Sequence, residues 1–239
     1  DHANRYLQRR LEPGDVTAAF AGIRPLVASG EAGSTAALAR DHVVAVSPGG
    51  LISIVGGKLT SYRKMAEDAV DAIVTRDGSG RPCRTANLPL AGAEGLDAVR
   101  PELAASHLAQ DQQIHLLESY GSSAREILSL MREETALAAR LIPGMPHLAA
   151  EVVYACRAEQ AVTLVDAMFL RNRLAAVDLA AADRAVETVA RLMARELRWD
   201  AAEHRRQREA YDAERDRSSG WRAVTLAAPG RRAAGLGSS

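Results

Sequence analysis

The stretch from Leu51 to Lys64 decides the fold of this chain, and it reads LISIVGGKLTSYRK. Its apolar start, Leu51 to Val55, predicts a short strand, and the pair Gly56-Gly57 predicts a tight turn after it. Apolar residues then recur at the i, i+3, i+4 and i+7 spacing of an amphipathic helix: Tyr62, Met65, Ala66, Ala69, Val70 and Ile73. The stretch therefore predicts a strand, a Gly-Gly turn and a helix N terminus in direct succession.

The Gly-Gly turn has the features of a ligand site. Glycine lets the backbone approach a ligand closely, and Thr60 or Ser61 can cap the helix. The N–H groups and dipole of a helix N terminus favour an anion or an electron-rich carbonyl, and Lys58 adds a full positive charge. Only Lys58 and Lys64 among the 30 basic residues are lysine, which hints at a local requirement for a compact cation. A tight turn with a surface lysine is the alternative.

The sequence before this turn is predicted to be extended. Val16 to Phe20 and Ile23 to Val27 are rich in β-branched or aromatic residues. Val43 to Val46 and Leu51 to Val55 are two apolar runs separated by Ser47-Pro48-Gly49-Gly50, a pattern that predicts a hairpin.

Two arginines in this region are candidate ligands for an anion. Arg24 lies in the stretch AGIRPL, and a buried arginine is rare unless it is paired or bound to an anion. An internal salt bridge to Glu31 or Asp41 is the alternative for Arg24. Arg40 precedes a strand directly, a position more typical of a surface arginine.

The rest of the chain is predicted to form a linker, a helical domain and a tail. Residues 77–100 lose their periodicity and are rich in Gly, Pro, Ser and Thr. Residues 101–217 have helical patterns throughout, with capping boxes predicted at Ser123–Glu126 and Thr163–Asp166. We expect residues 218–239 to be disordered.

Composition excludes several classes of protein. The 239 residues carry 30 basic and 30 acidic side chains, and this zero net charge argues against binding nucleic acid through an overall basic surface. Cys83 and Cys156 lie far apart and predict neither a disulfide framework nor a metal site, so a reducing cytosol is the simplest location. No apolar run approaches the ~20 residues that span a bilayer. The chain starts without Met, and we expect it to be a fragment of a longer protein.

Several motifs together carry a resemblance to a known family. They are AGIRPL (21–26), ARDH (39–42), GLISIVGGKLTSYRKMAED (50–68), LIPGMP (141–146), EVVYA (151–155), RAEQA (157–161) and TLVD (163–166). Over roughly residues 1–212 the chain resembles the C-terminal half of FAD-dependent glycerol-3-phosphate dehydrogenase of the aerobic, respiratory kind. The resemblance implies an α+β fragment. Residues 1–76 would end an FAD- and substrate-binding domain of the amino-acid-oxidase type, and an all-α C-terminal domain would follow.

The resemblance also implies roles for particular residues. Gly56, Gly57, Lys58, Leu59 and Thr60 would lie against the flavin ring of FAD. Two arginines and a lysine would line the substrate pocket, which suits a phosphate dianion: Arg24, Arg40 and Lys58.

Catalytic residues stay unassigned, because the family's proton acceptor has no counterpart in this sequence. The dinucleotide fingerprint G-x-G-x-x-G is also absent, so we expect the chain alone to bind little FAD and to be inactive. His107 and His115 are expected to be ordinary polar positions in helices. Internal pairing and helix capping are expected for Glu159 and Asp166.

The implied reaction is oxidation of sn-glycerol 3-phosphate to dihydroxyacetone phosphate, with hydride transfer to FAD and onward transfer of electrons to quinone. A related oxidase that passes electrons to oxygen is one alternative. A non-catalytic helical interaction module is another, because residues 101–217 could fold alone. We further expect a cytoplasmic location with peripheral contact to the inner face of the membrane, and a homodimer.

Overall fold

The computed structural model describes residues 2–19, 21–23, 27, 41–78 and 80–221. The chain divides into two compact units. The first, which we call the hairpin unit, spans Ala21–Leu90, and the second, the helical unit, combines Asp1–Phe20 with Ala91–Ser239. Each unit is described separately below.

The hairpin unit contains the predicted strand–turn–helix. Strand β1 (His42–Val46) pairs antiparallel with β2 (Ile52–Gly56), and Val46 lies opposite Ile52 at the turn end. Helix α1 (Tyr62–Asp77) follows and ends at Gly78, whose φ of 68° suits glycine. The hairpin and the helix are therefore confirmed, with strand boundaries shifted by one residue.

The hairpin unit has almost no core of its own. Gly56 is the one buried residue among those described in this unit. Large apolar side chains stay exposed on the strands, on α1 and in the segment after it, among them Leu51, Leu59, Tyr62, Val70, Leu88 and Leu90. The amphipathic face of α1 predicted from the sequence therefore exists but is only partly covered.

The helical unit is built from seven helices in the part of the chain that the structure describes. They are α2 (Leu96–Ala105), α3 (Gln110–Tyr120), α4 (Ala124–Glu133), α5 (Ala149–Ala158), α6 (Leu174–Val177), α7 (Leu179–Leu197) and α8 (Ala201–Ser219). A π-helical segment, Asp166–Arg171, precedes α6. All seven helices contribute to one apolar core, with fully buried side chains such as Val99, Leu116, Ile127, Val152, Leu174, Val189 and Tyr211.

The N-terminal segment begins with extended backbone, as predicted, since Val16 has φ and ψ of −79° and 113°. Val16 to Ala19 form no strand, however, and Phe20 and Arg24 to Leu26 lie outside the described residues. The Thr17 hydroxyl donates to the carbonyl of Val177 at 2.7 Å in the helical unit. The residues of this segment therefore take part in a loop contact and not in a sheet.

Domain boundaries also differ from those predicted for 77–100 and 218–239. Helix α2 begins at Leu96, inside the predicted linker, because Val99 and Leu103 present an i, i+4 apolar pair that the core buries. Helix α8 continues to Ser219, and residues 222–239 lie outside the described part.

One of the two predicted capping boxes forms. The Asp166 N–H donates to Thr163 Oγ1 at 3.0 Å, and the Thr163 N–H donates to Asp166 Oδ2 at 2.9 Å, so the expected capping role of Asp166 is confirmed. The prediction at Ser123 is wrong: its side chain makes no capping hydrogen bond. Ser123 has helical φ and ψ of −66° and −13°, whereas a capping residue is normally extended.

No helix of the described residues has the length and apolar character to cross a membrane.

Candidate functional site

The turn between β2 and α1 depends on both of its glycines. Gly56 and Gly57 each have a φ of 82°, in the region that residues with a Cβ rarely adopt. A Cβ on Gly56 would lie 2.8 Å from the carbonyl oxygen of Asp41, and one on Gly57 would lie 2.5 Å from the sulfur of Met65. Backbone conformation and crowding therefore both require glycine, and the predicted close-approach turn is present.

A short 3-10 turn, Leu59–Ser61, connects this loop to α1, and Ser61 fixes its geometry. The Ser61 hydroxyl accepts a hydrogen bond from the Lys58 N–H at 3.2 Å and donates to the Lys58 carbonyl at 3.0 Å. The backbone N–H groups of Leu59 and Thr60 have no acceptor among the described residues. The turn thus offers two unused donors next to Lys58, as expected where a helix begins.

The two lysines of the chain have different surroundings. Lys58 is exposed, and its ammonium has no ion pair or hydrogen bond within the described ranges. Lys64 Nζ lies 2.8 Å from Asp68 and 3.0 Å from Glu67. The i, i+4 pairs Lys64–Asp68 and Arg63–Glu67 of α1 both form, the latter at 2.5 Å. Lys58 is therefore available for a ligand, whereas Lys64 is occupied within its own helix.

The ion pairs of α1 also connect the helix to β1. His42 Nε2 lies 2.8 Å from Asp68 Oδ2, on the side of the carboxylate opposite Lys64. The Lys64 ammonium and the His42 ring together hold the pKa of Asp68 below its ordinary value. This network holds the start of α1 against β1, and because His42 pairs with Gly56 in the sheet, it also helps to position the turn.

The structure places five of the seven predicted site residues in one segment. Gly56, Gly57, Lys58, Leu59 and Thr60 are consecutive, and the last three are exposed. Arg24 and Arg40 lie outside the described residues, so their part in a substrate pocket stays a prediction. Within the described ranges, no group of three or more His, Cys, Asp or Glu side chains could hold a metal ion.

The helical unit contains a buried polar cluster that was not predicted from the sequence. Glu151 is fully buried, and its Oε2 lies 2.8 Å from both His115 Nε2 and the Tyr120 hydroxyl. Its Oε1 accepts from the Leu148 N–H at 2.6 Å, and the His147 ring centroid lies 4.5 Å from that of His115. His115 lies in a helix, as expected, and pairs with Glu151, whereas His107 lies between α2 and α3 and not in a helix. A carboxylate at the start of the apolar run EVVYA was the available signal.

Glu159 differs from the expected internal pairing. No ion pair of its carboxylate is present among the described residues, and Arg171 Nε donates instead to the Glu159 carbonyl oxygen at 2.8 Å. Burial raises the pKa of the Glu159 carboxyl, and the nearby Arg171 guanidinium opposes this shift. Arg171 thus pairs with the backbone of Glu159, which is the C-cap residue of α5.

The part of the chain that contains α2 to α7 of the helical unit matches a known family. The C-terminal domain of alpha-glycerophosphate oxidase matches residues 83–204, and the chain belongs to that family. Among curated proteins, the mitochondrial glycerol-3-phosphate dehydrogenase of Mesocricetus auratus is 39% identical over 211 residues. The mitochondrial glycerol-3-phosphate dehydrogenase of Arabidopsis thaliana is 35% identical over 226 residues. The resemblance to glycerol-3-phosphate dehydrogenase is thereby confirmed.

A solved structure supports the same relationship. The glycerol-3-phosphate dehydrogenase from Bacillus halodurans, complexed with FAD, superposes with a TM-score of 0.69 at 30% identity and covers 87% of this chain. These relatives are much longer: the chain spans 28% of the Mesocricetus protein, 36% of the Arabidopsis protein and 41% of the Bacillus chain. The matches cover 84% and 87% of this chain for the two mitochondrial proteins.

Proposed function

We propose that this chain is the C-terminal part of an FAD-dependent glycerol-3-phosphate dehydrogenase and that its hairpin unit completes the flavin and substrate site. The turn at Gly56-Gly57 is the observation that carries the proposal. It combines two positive-φ glycines, two N–H groups without an acceptor among the described residues, and the unpaired ammonium of Lys58. The hairpin unit would then be the end of a domain of the amino-acid-oxidase type.

The residues of the turn fit a flavin. Glycine at 56 and 57 allows the positive-φ turn, after which the backbone of Lys58 to Thr60 is exposed and a planar ring could approach it. The N–H groups of Leu59 and Thr60 would donate to a flavin carbonyl, where negative charge increases on reduction. Bound FAD would supply the acceptor for the hydride that leaves C2 of the substrate.

Lys58 would act on the phosphate of the substrate. An ammonium without a partner can form a charge-assisted hydrogen bond to a phosphate dianion, and Arg24 and Arg40 would supply planar guanidinium groups to the same anion. The hydroxyl proton of the substrate would go to a base outside this chain. The product is the ketone dihydroxyacetone phosphate, and electrons then pass to quinone at a peripheral membrane contact of a homodimer.

Anaerobic reduction tests this function. We would purify the complete enzyme that contains this chain and add sn-glycerol 3-phosphate without oxygen. Loss of the oxidised-flavin absorbance, with one dihydroxyacetone phosphate formed per flavin, is expected. Glycerol, which lacks the phosphate, should reduce the flavin far more slowly. Failure of glycerol 3-phosphate to reduce a fully loaded enzyme would contradict the proposal.

Reoxidation then separates the two electron acceptors. A dehydrogenase should be reoxidised faster by a soluble quinone than by dissolved oxygen, whereas the alternative oxidase should show the reverse order and release hydrogen peroxide.

A further inference from the structure

A pocket of about 580 Å³ opens in the helical unit between α2, α3 and α4. This volume lies within the ~300–1,000 Å³ that small-molecule sites occupy. We call it the α2–α4 pocket, and its principal lining residues are Glu102, His107, Leu108, Gln112, Leu128 and Arg132. None of them belongs to the glycine turn, so the pocket is independent of the proposed flavin site.

The floor of the α2–α4 pocket is apolar. Leu128 is only 5% exposed, and Leu108 and Met131 are partly buried against the core of the helical unit. An apolar body placed here would lose water contact on both sides, which is the usual source of affinity in a small-molecule site.

A buried amide lines the same pocket. Gln112 is 5% exposed, and its Oε1 accepts a hydrogen bond from the Ala109 N–H at 3.1 Å. Its amide nitrogen has no acceptor within the part of the chain that the structure describes. This nitrogen is not one of the buried donors without a partner, so it stays accessible from the pocket and can donate to an oxygen atom of a ligand.

The charged groups of the pocket favour an anion. Arg132 and His107 are exposed and have no ion pair among the described residues. Glu102 is the acidic residue of the lining, and Arg125 Nη2 lies 2.7 Å from its carboxylate. The pocket therefore presents an unpaired guanidinium and an imidazole, while its negative charge is already neutralised.

We propose that the α2–α4 pocket binds a small amphipathic carboxylate. Its apolar body lies on Leu128 and Met131, its carboxylate pairs with Arg132, and an oxygen atom accepts from the Gln112 amide. Neither the apolar floor nor the cation alone would specify this class of ligand. Together they select a molecule with one apolar part and one anionic end.

Calorimetric titration of the 239-residue chain tests the proposal with a defined probe, 4-phenylbutanoate, and its uncharged analogue 4-phenylbutan-1-ol. The carboxylate should bind at one site, and Arg132→Gln should weaken it about tenfold or more, because a charge-assisted contact is lost. The same variant should leave binding of the alcohol unchanged. Arg100→Gln, which removes an exposed arginine of α2 outside the lining, is the matched control and should change neither affinity.

A filling variant separates this pocket from other apolar surfaces. Ala105 lines the pocket and is exposed, so Ala105→Phe occupies the space without removing core atoms. This variant should abolish binding of both probes while the helical circular dichroism and its thermal midpoint stay unchanged. Absence of carboxylate binding up to its solubility limit would overturn the proposal. Undiminished binding to Ala105→Phe, or equal weakening by Arg100→Gln and Arg132→Gln, would overturn it as well.

Discussion

The hairpin unit and the helical unit use their apolar residues in opposite ways. Helical-unit side chains such as Ile127 and Val189 are fully buried, whereas Val70 and Leu88 of the hairpin unit are more than half exposed. The ion pairs differ similarly: the Lys64 network of α1 is partly exposed, and Glu151 of α5 is fully buried. The hairpin unit, which contains the candidate site residues, therefore contributes little to folding stability. The helical unit is the stable one and contains few residues of the candidate site.

Limited proteolysis should show the largest difference between the two units. Residues 81–90 are all exposed and contain only one short 3-10 turn, Thr85–Asn87, so trypsin should cut first after Arg84, since Pro82 blocks cleavage after Arg81. The expected product is a resistant fragment that contains α2 to α8, identified by mass spectrometry. A first cut between residues 150 and 200 would contradict the assignment of a self-contained helical unit.

Removing the buried carboxylate should cause the largest loss of folding stability. Glu151→Ala leaves His115, Tyr120 and the Leu148 N–H without their common acceptor, and we expect a cost of about 3 kcal/mol in the free energy of unfolding. Urea denaturation followed by circular dichroism measures it. The matched change in the hairpin unit is Glu67→Ala, whose carboxylate is partly exposed, and it should shift the transition little. Equal losses would remove the contrast between the units.

Much of the hairpin unit could be predicted from the sequence because its signals are local. The Gly-Gly turn, the i, i+4 pairs of α1 and the helix end at Gly78 each depend on residues a few positions apart. The Glu151 cluster could not be predicted in this way, since His115 and Tyr120 lie more than 30 residues from it. The start of α2 could not be predicted for the same reason. Val99 is recognised as part of a helix only when the core that buries it is known.

Enzyme kinetics should distinguish Lys58 from Lys64. In the complete enzyme, Lys58→Ala should lower kcat/KM for glycerol 3-phosphate about ten- to hundredfold, since a charge-assisted contact of roughly 1.5–3 kcal/mol is lost. Lys64→Ala should change kcat/KM little, because its ammonium is already paired with Asp68 and Glu67. Steady-state kinetics on both variants is the measurement, and equal losses for the two lysines would disprove the assigned substrate contact.

The smallest of these effects is expected on acidification, and it is a change in the stability of the helical unit. Burial lowers the pKa of His147 below its ordinary value, and the nearby His115 ring adds to this shift. With a lowered pKa in the folded state, the unfolded chain binds more protons between that pKa and about 6.5, so stability falls as the pH decreases below about 6.5.

The variant His147→Gln removes this titration, so its free energy of unfolding should fall less than that of the wild type between neutral and mildly acidic pH. His107→Gln is the matched control, because His107 is exposed and should leave the pH dependence unchanged. Exposed carboxylates such as Asp111, whose pKa Arg140 lowers, lose charge only at more acidic pH and therefore do not imitate the effect. If the free energies of unfolding of the wild type and His147→Gln changed equally with pH, burial of the His147 ring would not contribute to the pH dependence of stability.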